Sequence, residues 1–310
     1  MYHHLTRDKR VALSALLKSG YSQRRAAKEL EINQSSVSRE LSRNGRDLRA
    51  YHSTHADVRA RIRRKESKVE YRKIENDAHL EKRIRECLHP LVSPEVIAHD
   101  EGVSHETIYA WIARSRPDLK RKLPQRGKNR RRYGSKRAVK QGWTRDVRSI
   151  HSRIPGAEHR SRTGHFEGDT VRGKRGALLT LTDRKSRFEE AVKVPYEGCD
   201  PVYAAIVVRK QKLSPRSFTF DRGSAFSLWR MIERDTGAKV YFADPHAPWQ
   251  RGTNENSNGR LRRVFPKGFD FGTITQKDVD GVVRIMNHTP RKCLHWRTPC
   301  AVFGRCCTSA

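Results

Sequence analysis

Three carboxylates stand in sequence surroundings suited to phosphoryl chemistry. Asp169 lies in Gly164-His165-Phe166-Glu167-Gly168-Asp169-Thr170, Asp221 in Phe218-Thr219-Phe220-Asp221-Arg222-Gly223, and Glu255 in Gln250-Arg251-Gly252-Thr253-Asn254-Glu255-Asn256. They are separated by 52 and 34 positions. Carboxylate oxygens are hard ligands that suit Mg²⁺, with Mn²⁺ as a substitute. Two such ions about 4 Å apart can activate a water or a 3′-hydroxyl, hold a scissile phosphate and stabilise the leaving oxygen. The competing reading makes these acids surface charges or helix caps. Against it, residues 165–310 hold only 15 acids, and two of the three fall at strand positions beside apolar residues, where an unpaired charge is costly.

The elements that would position them follow from the hydrophobic pattern. Strands are expected over 165–171, 177–182 and 188–194, with a hairpin turn at 173–176 between the first two. A helix over 201–212, a strand over 217–220, a helix over 224–236, a strand over 239–242 and a helix over 253–264 follow. Hairpin-linked strands and then alternating helix and strand give the order of an α/β ribonuclease H-like domain. If the strands of Asp169 and Asp221 are neighbours, both acids emerge side by side, and a helix across that sheet edge can bring in Glu255.

The rest of the chain is dominated by charge. There are 66 Lys and Arg against 34 Asp and Glu, a formal net charge of +32. A stable fold has no need of that imbalance, and a polyanion offsets its self-repulsion. Residues 1–164 carry 40 basic and 19 acidic residues. The first half therefore reads as the main nucleic-acid-holding part. No stretch resembles a secretory signal or approaches the ~20 apolar residues of a membrane span, so a cytoplasmic, nucleoid-associated protein is expected. The six cysteines form no Cys-x-x-Cys pair, and His288, Cys293, His295 and Cys300 match no common zinc spacing.

Within 5–43 the pattern is three helices. Thr6 is the first N-cap, Val11, Leu13, Leu16 and Leu17 recur at helical spacing, Gly20 stops the helix, and Ser22 caps the second. The third, from Gln34 to about Arg43, buries Val37 and Leu41 and presents Gln34, Ser35, Ser36, Ser38, Arg39 and Arg43 outward. Amide, hydroxyl and guanidinium groups on such a face read base edges and phosphates in a major groove, although a helical hairpin with a solvated polar face has the same pattern. Residues 55–86 read as a long charged connecting helix, with Arg59, Arg61, Arg63, Arg64 and Lys65 along DNA backbone or in solvent. A second helix-turn-helix is expected where Ser93-Pro94-Glu95 starts one helix and Ser104 caps another, with Ile108 and Ile112 inward and His105, Thr107 and Tyr109 outward. Residues 120–140 hold eleven basic residues and no acid, centred on Arg130, Arg131 and Arg132; Pro124, Gly127 and Gly134 argue for a linker that follows phosphates. The expected organisation is therefore 1–50, a helix-turn-helix domain; 51–119, helices with the second unit; 120–160, the linker; and 161–310, the catalytic domain.

These blocks together resemble the IS-thirty family of bacterial insertion-sequence transposases, within the DDE transposases and retroviral-type integrases. Ser35-Ser36-Val37-Ser38-Arg39-Glu40-Leu41 is similar to the family's first helix-turn-helix, Ser104-His105-Glu106-Thr107-Ile108-Tyr109 to its second block, and Gly164–Val171 to the block of the first catalytic Asp, with Phe166 where Trp is usual. Pro248-Trp249-Gln250-Arg251-Gly252-Thr253-Asn254-Glu255-Asn256 resembles the block of the catalytic Glu, and Pro290-Arg291-Lys292-Cys293-Leu294 the closing motif. The resemblance implies that Asp169, Asp221 and Glu255 are a catalytic and metal-binding triad. It implies double-stranded DNA as partner, both terminal inverted repeats and target, and a homo-oligomer on that DNA. One block departs: where the family has Asp-Asn-Gly, a variable residue and Glu-Phe, this chain has Asp221-Arg222-Gly223-Ser224-Ala225-Phe226. That departure motivates a second reading, a decayed transposase that only binds or represses its ends. A ribonuclease H-like nuclease without joining is a third, disfavoured by the tandem DNA-reading units. A tyrosine or serine recombinase would need its nucleophile beside an arginine cluster, and the sequence displays none.

Overall fold

Thr6 and Ser22, each with an extended backbone and a side chain accepting from an N–H three residues on, start the first two helices of the computed structural model: α1 (Arg7–Lys18) and α2 (Gln23–Glu29). The structure describes residues 5–44, 50–67, 69–125, 147–245 and 247–304. Arg130, Arg131 and Arg132 lie outside the described residues. After α3 (Gln34–Asn44) comes α4 (Ser53–Glu66). Leu13, Leu17, Ala26, Ala27, Val37, Leu41 and Ala56 form the core of this all-α region, and Val11 points outward. A buried ion cluster ties the helices together: Arg10 donates to Glu40 of α3 at 2.7 Å and to Asp57 of α4 at 3.2 Å.

Residues 55–86 are not one continuous helix. α4 ends at Glu66, and α5 (Ala78–Cys87) starts only after a turn in which the Asn76 amide donates to the carbonyls of Val69 and Glu70 and Ile74 is buried. Chain contacts divide the protein into two compact units, residues 1–81 and 82–310.

In the second unit, α6 (Pro94–Glu101) and α7 (His105–Ser115) are joined through Gly102 in the left-handed conformation. Ser104 caps α7 with its side chain; Ser93 precedes α6 without a side-chain cap bond. Trp111 joins Ile108 and Ile112 on the buried stripe, and His105 and Tyr109 are exposed. This pair is docked on the α/β domain: Leu91 enters that domain's core, the guanidiniums of Arg260 and Arg263 donate to the carbonyls of Leu91 and Pro90, and His99 stacks on Trp296. The basic segment begins in a short 3-10 helix, Pro117–Lys122.

After α8 (Pro155–Glu158) comes a five-stranded sheet: β1 (His165–Arg172), β2 (Ala177–Asp183), β3 (Glu189–Val194), β4 (Ser217–Phe220) and β5 (Lys239–Phe242), in the order β3-β2-β1-β4-β5. The first three are antiparallel, and β4 and β5 run parallel to β1. Together with the helices on both faces, this is a ribonuclease H-like α/β domain. β2 is buried along its whole length, as its unbroken Ala177-Leu178-Leu179-Thr180-Leu181-Thr182 run requires. On one face Leu179, Leu181, Phe166, Phe218, Phe220 and Val240 pack against α9 (Cys199–Leu213) and α10 (Trp229–Thr236). On the other, Leu178, Val171 and Ala191 pack against α11 (Gly252–Val264) and α12 (Gln276–His288). The chain closes with α13 (Pro299–Phe303).

The helix expected over 224–236 is interrupted. Ser224–Phe226 forms a 3-10 turn, so that Phe226 stacks on Phe220 at 4.0 Å, and α10 starts at Trp229. No helix among the described residues is long and apolar enough to cross a membrane.

Candidate active site

The register of β1 against β4 decides where the first two acids meet. His165 pairs with Ser217, 52 positions on, and Phe166 and Glu167 pair with Phe218 and Thr219 at the same offset. Asp169 and Asp221 are also 52 apart, so Asp169 within β1 and Asp221 just past the end of β4 come side by side in step. Gly168 makes this close approach possible: a Cβ there would come within 2.4 Å of the Phe220 ring.

Arg251, immediately before α11, holds the two carboxylates together. Its guanidinium is 3.0 Å from Asp221 and 3.8 Å from Asp169, and donates to the Gly168 carbonyl at 3.1 Å. Asp221 Oδ1 accepts from the Gly223 N–H at 3.0 Å, and a Cβ on Gly223 would meet that oxygen at 2.8 Å. Asp169 accepts from the Thr170 N–H at 2.8 Å and from the Asn258 amide of α11 at 3.0 Å. Burial pushes the Asp169 carboxyl up to about 6, against the pull of Arg251 and with the repulsion of Asp221 and Glu197 behind it.

Glu255 is placed differently. It lies in the first turn of α11 as expected, but its side chain is exposed and is not drawn in with the two Asp residues. Among the described residues, no three His, Cys, Asp or Glu side chains gather closely enough to hold a metal ion. The physical reason is local. Asn254 takes the inward position, its N–H donating to Glu167 at 2.9 Å and its amide to the Glu167 carbonyl at 3.2 Å, while Arg251 fills the space between the Asp carboxylates. Glu255 shares a helix side with Asn258, one turn on, which reaches Asp169.

Sequence reasoning missed Arg251, Asn258 and Glu197. Arg251 stood in a block already singled out. Glu197 follows β3 and accepts from the Thr170 hydroxyl, a proximity that only the fold creates. The departures at 222 and 225 have simple surroundings: Arg222 donates to the Ala243 carbonyl at 3.4 Å, and Ala225 is buried in the apolar cluster with Phe226. Neither disturbs the bonds that hold Asp221.

An arginine cluster, not visible in the sequence, also exists. Arg160, Arg187, Arg260 and Arg291, from four separate segments, line one cleft with Ser257. Ser257 is buried, and its hydroxyl is given to Glu189.

In the first unit the expected reading face is largely exposed: Gln34, Ser35, Ser38, Arg39 and Arg43 are open to solvent and Ser36 is half-buried. Arg39 folds back on its own helix, donating to the Ser35 carbonyl at 3.0 Å and hydroxyl at 3.3 Å.

Residues 1–44 match a family model described as a helix-turn-helix domain. Over nearly its whole length the chain is similar to known transposases. It is 32% identical over 98% of its length to the transposase for insertion sequence element IS1086 of Cupriavidus metallidurans, covering 95% of that protein. It is 34% identical over 96% to the transposase for IS4351 of Bacteroides fragilis, covering 95%, and 34% over 97% to transposase InsI for IS30A of Escherichia coli, covering 84%.

The chain belongs to the IS30 family of insertion-sequence transposases.

Membership makes the chain a transposase, an enzyme of DNA cutting and transfer, with DNA as the partner implied by its helix-turn-helix domain. It also accounts for the charge: a transposase must hold long stretches of phosphate backbone.

Proposed function

We propose that this transposase binds the terminal inverted repeats of its insertion sequence through α2–α3 and cleaves and joins DNA strands at Asp169, Asp221 and Glu255. The observation that carries the proposal is the in-step emergence of Asp169 and Asp221 from β1 and β4 around one shared positive group, Arg251. Water and then a freed DNA 3′-hydroxyl are the nucleophiles, so no covalent protein–DNA link is required.

The donor chemistry fits Mg²⁺, with Mn²⁺ as a substitute: two oxygen ligands already converge on one cation, and the raised Asp169 carboxyl marks a place that favours added positive charge. Asp169 and Asp221 would hold such an ion, and Glu255 would complete the set from α11. Bound there, it supplies activation of the attacking oxygen and neutralisation of the phosphate. The protein's own groups do the positioning. Gly223 and Asn258 fix the two Asp carboxylates, and Glu167, through Asn254, anchors the start of α11 to β1. Arg251, now between the two Asp carboxylates, would yield that place to the ion and leave its positive charge beside the scissile position.

Joining two ends needs two active sites, so a homo-oligomer assembled on DNA in the bacterial nucleoid belongs to the same proposal. The alternative of a binding protein without chemistry rests on Arg222 and Ala225, whose side chains leave the support of Asp221 intact. Incubation of the protein with DNA carrying its element's ends, in Mg²⁺, Mn²⁺ or EDTA, tests the proposal. Nicking at the element boundary with either metal and none in EDTA is expected. Binding without cleavage in both metals would favour the binding protein.

A further inference from the structure

We infer that the arginine-lined cleft beside α11 is a binding site for a phosphate oxyanion, supplied by the DNA backbone, and that it is separate from the Asp169–Asp221 pair. The DNA source rests on the function proposed above; the oxyanion chemistry rests on the cleft itself.

The cleft has a volume of about 240 Å³ and is walled by Arg160, Arg187, Arg260 and Arg291, with Thr253 at the start of α11 and Cys293 at the rim. Among the described residues, no carboxylate lines it. Arg260 is only 5% exposed; one amino group donates to the Leu91 carbonyl at 2.7 Å and the other, Nη1, has no partner among the described residues. Arg291 is fixed by a bond to the Met286 carbonyl at 3.1 Å, and its Nε has no partner among the described residues. Arg187 is held by the Thr253 hydroxyl at 2.7 Å and the Arg184 carbonyl at 2.8 Å. Such preset guanidiniums match the geometry of a phosphate, and a buried donor without a partner is costly until one arrives.

Opposing charge is limited. Glu189 lies beneath the wall, bonded to Ser257 and Thr182, and burial pushes it up to about 7. Glu167 is engaged by Arg184. The Arg160 guanidinium is lowered chiefly by burial, and further by its Arg187 and Arg184 neighbours. Burial likewise lowers Arg291 to about 10, which leaves it cationic at neutral pH.

The cleft and the Asp pair lie along different sides of one helix. Thr253, Ser257 and Arg260 face the cleft, while Asn258 faces Asp169. A strand crossing the start of α11 with one phosphate at the Asp pair would offer a neighbouring phosphate to the arginines.

Cys293, an exposed free thiol on the wall, gives a local readout. Its alkylation by iodoacetamide is followed by mass spectrometry on the full chain in EDTA, with a short DNA duplex or with inorganic phosphate. A duplex at ten times its dissociation constant is expected to slow Cys293 about tenfold. Arg160→Gln and Arg260→Gln are expected to remove most of that protection while gel-shift binding persists through the helix-turn-helix. Arg160 is exposed, so its variant keeps the test valid if the buried Arg260→Gln fails to fold. Cys293 alkylation unchanged by both bound duplex and phosphate, or protection undiminished in Arg160→Gln, overturns the inference. Protection by phosphate but not by bound duplex overturns the DNA source. If no duplex binds at all, the proposed function fails, and phosphate protection alone then supports the oxyanion site or, by its absence, removes it.

Discussion

At the scale of residues, buried acids carry consequences that can be measured. Glu189 is fully enclosed and raised to about 7, chiefly by burial. An acid whose folded value is raised stabilises the fold fully below its unfolded value near 4.5, and that contribution is lost as pH climbs through about 7. Asp169 and Asp183, each raised to about 6, act in the same sense at lower pH. The melting temperature of the wild type is therefore expected to fall between about pH 4.5 and 7, and Glu189→Gln to flatten that fall by several degrees. An unchanged slope in differential scanning fluorimetry contradicts the burial argument. Gly168 carries a second prediction. Its missing Cβ would stand 2.4 Å from the Phe220 ring, so Gly168→Ala is expected to cost about 1–3 kcal/mol. Because β1 would shift against β4, cleavage is expected to fall more than stability alone explains. The places of Asp169 and Asp221 at the sheet were legible in the sequence because the strand pattern runs through the first and up to the second. Arg251 and Asn258 were not, because their roles depend on which way the first turn of α11 faces, and nothing in a run of polar residues states that.

At the scale of elements, the strands announced themselves. β2 is an apolar run bounded by Gly176 and Asp183, and the Gly173–Gly176 turn follows from Gly176 at φ 71°. α12 carried a readable start, Thr275 and Asp278 forming a reciprocal capping box, yet its function becomes visible only in place. Its Asn287 exchanges two bonds with the Glu189 backbone and Gln276 bonds the Lys193 N–H and Ala191 carbonyl, closing the exposed edge of β3. The helix drawn through 55–86 failed because high charge looks alike in a helix and in a turn. The second helix-turn-helix was recognisable from Ser104 and its apolar stripe, whereas its docking on the α/β domain through Leu91 and Arg260 was not, since long-range contacts leave no local period. For α3, the exposed Arg39 is argued to read a base. Arg39→Ala is expected to weaken binding to the element's end by about 1–3 kcal/mol, and binding to unrelated DNA much less. Equal losses in a competition gel shift would reduce Arg39 to a phosphate contact.

At the scale of the whole molecule, an excess of +32 is spread over segments that differ in function. The run centred on Arg130, Arg131 and Arg132 is argued from sequence to follow phosphates. Replacing the three by Gln is expected to flatten the salt dependence of DNA binding by about 2–3 units of slope. An unchanged slope would place them in solvent. On the proposed function, DNA binding and strand chemistry are separable, and chemistry rests on Asp169, Asp221 and Glu255. The structure makes the third member the sharpest question, since Glu197 touches the Asp169 surroundings and Glu255 is exposed. The deciding measurement is Mg²⁺-dependent nicking of end DNA by four variants, each first shown to bind that DNA as the wild type does. Asp169→Asn, Asp221→Asn and Glu255→Gln are expected to bind fully and cut nothing, while Glu197→Gln keeps cutting. Undiminished nicking by Glu255→Gln together with loss in Glu197→Gln would contradict the account.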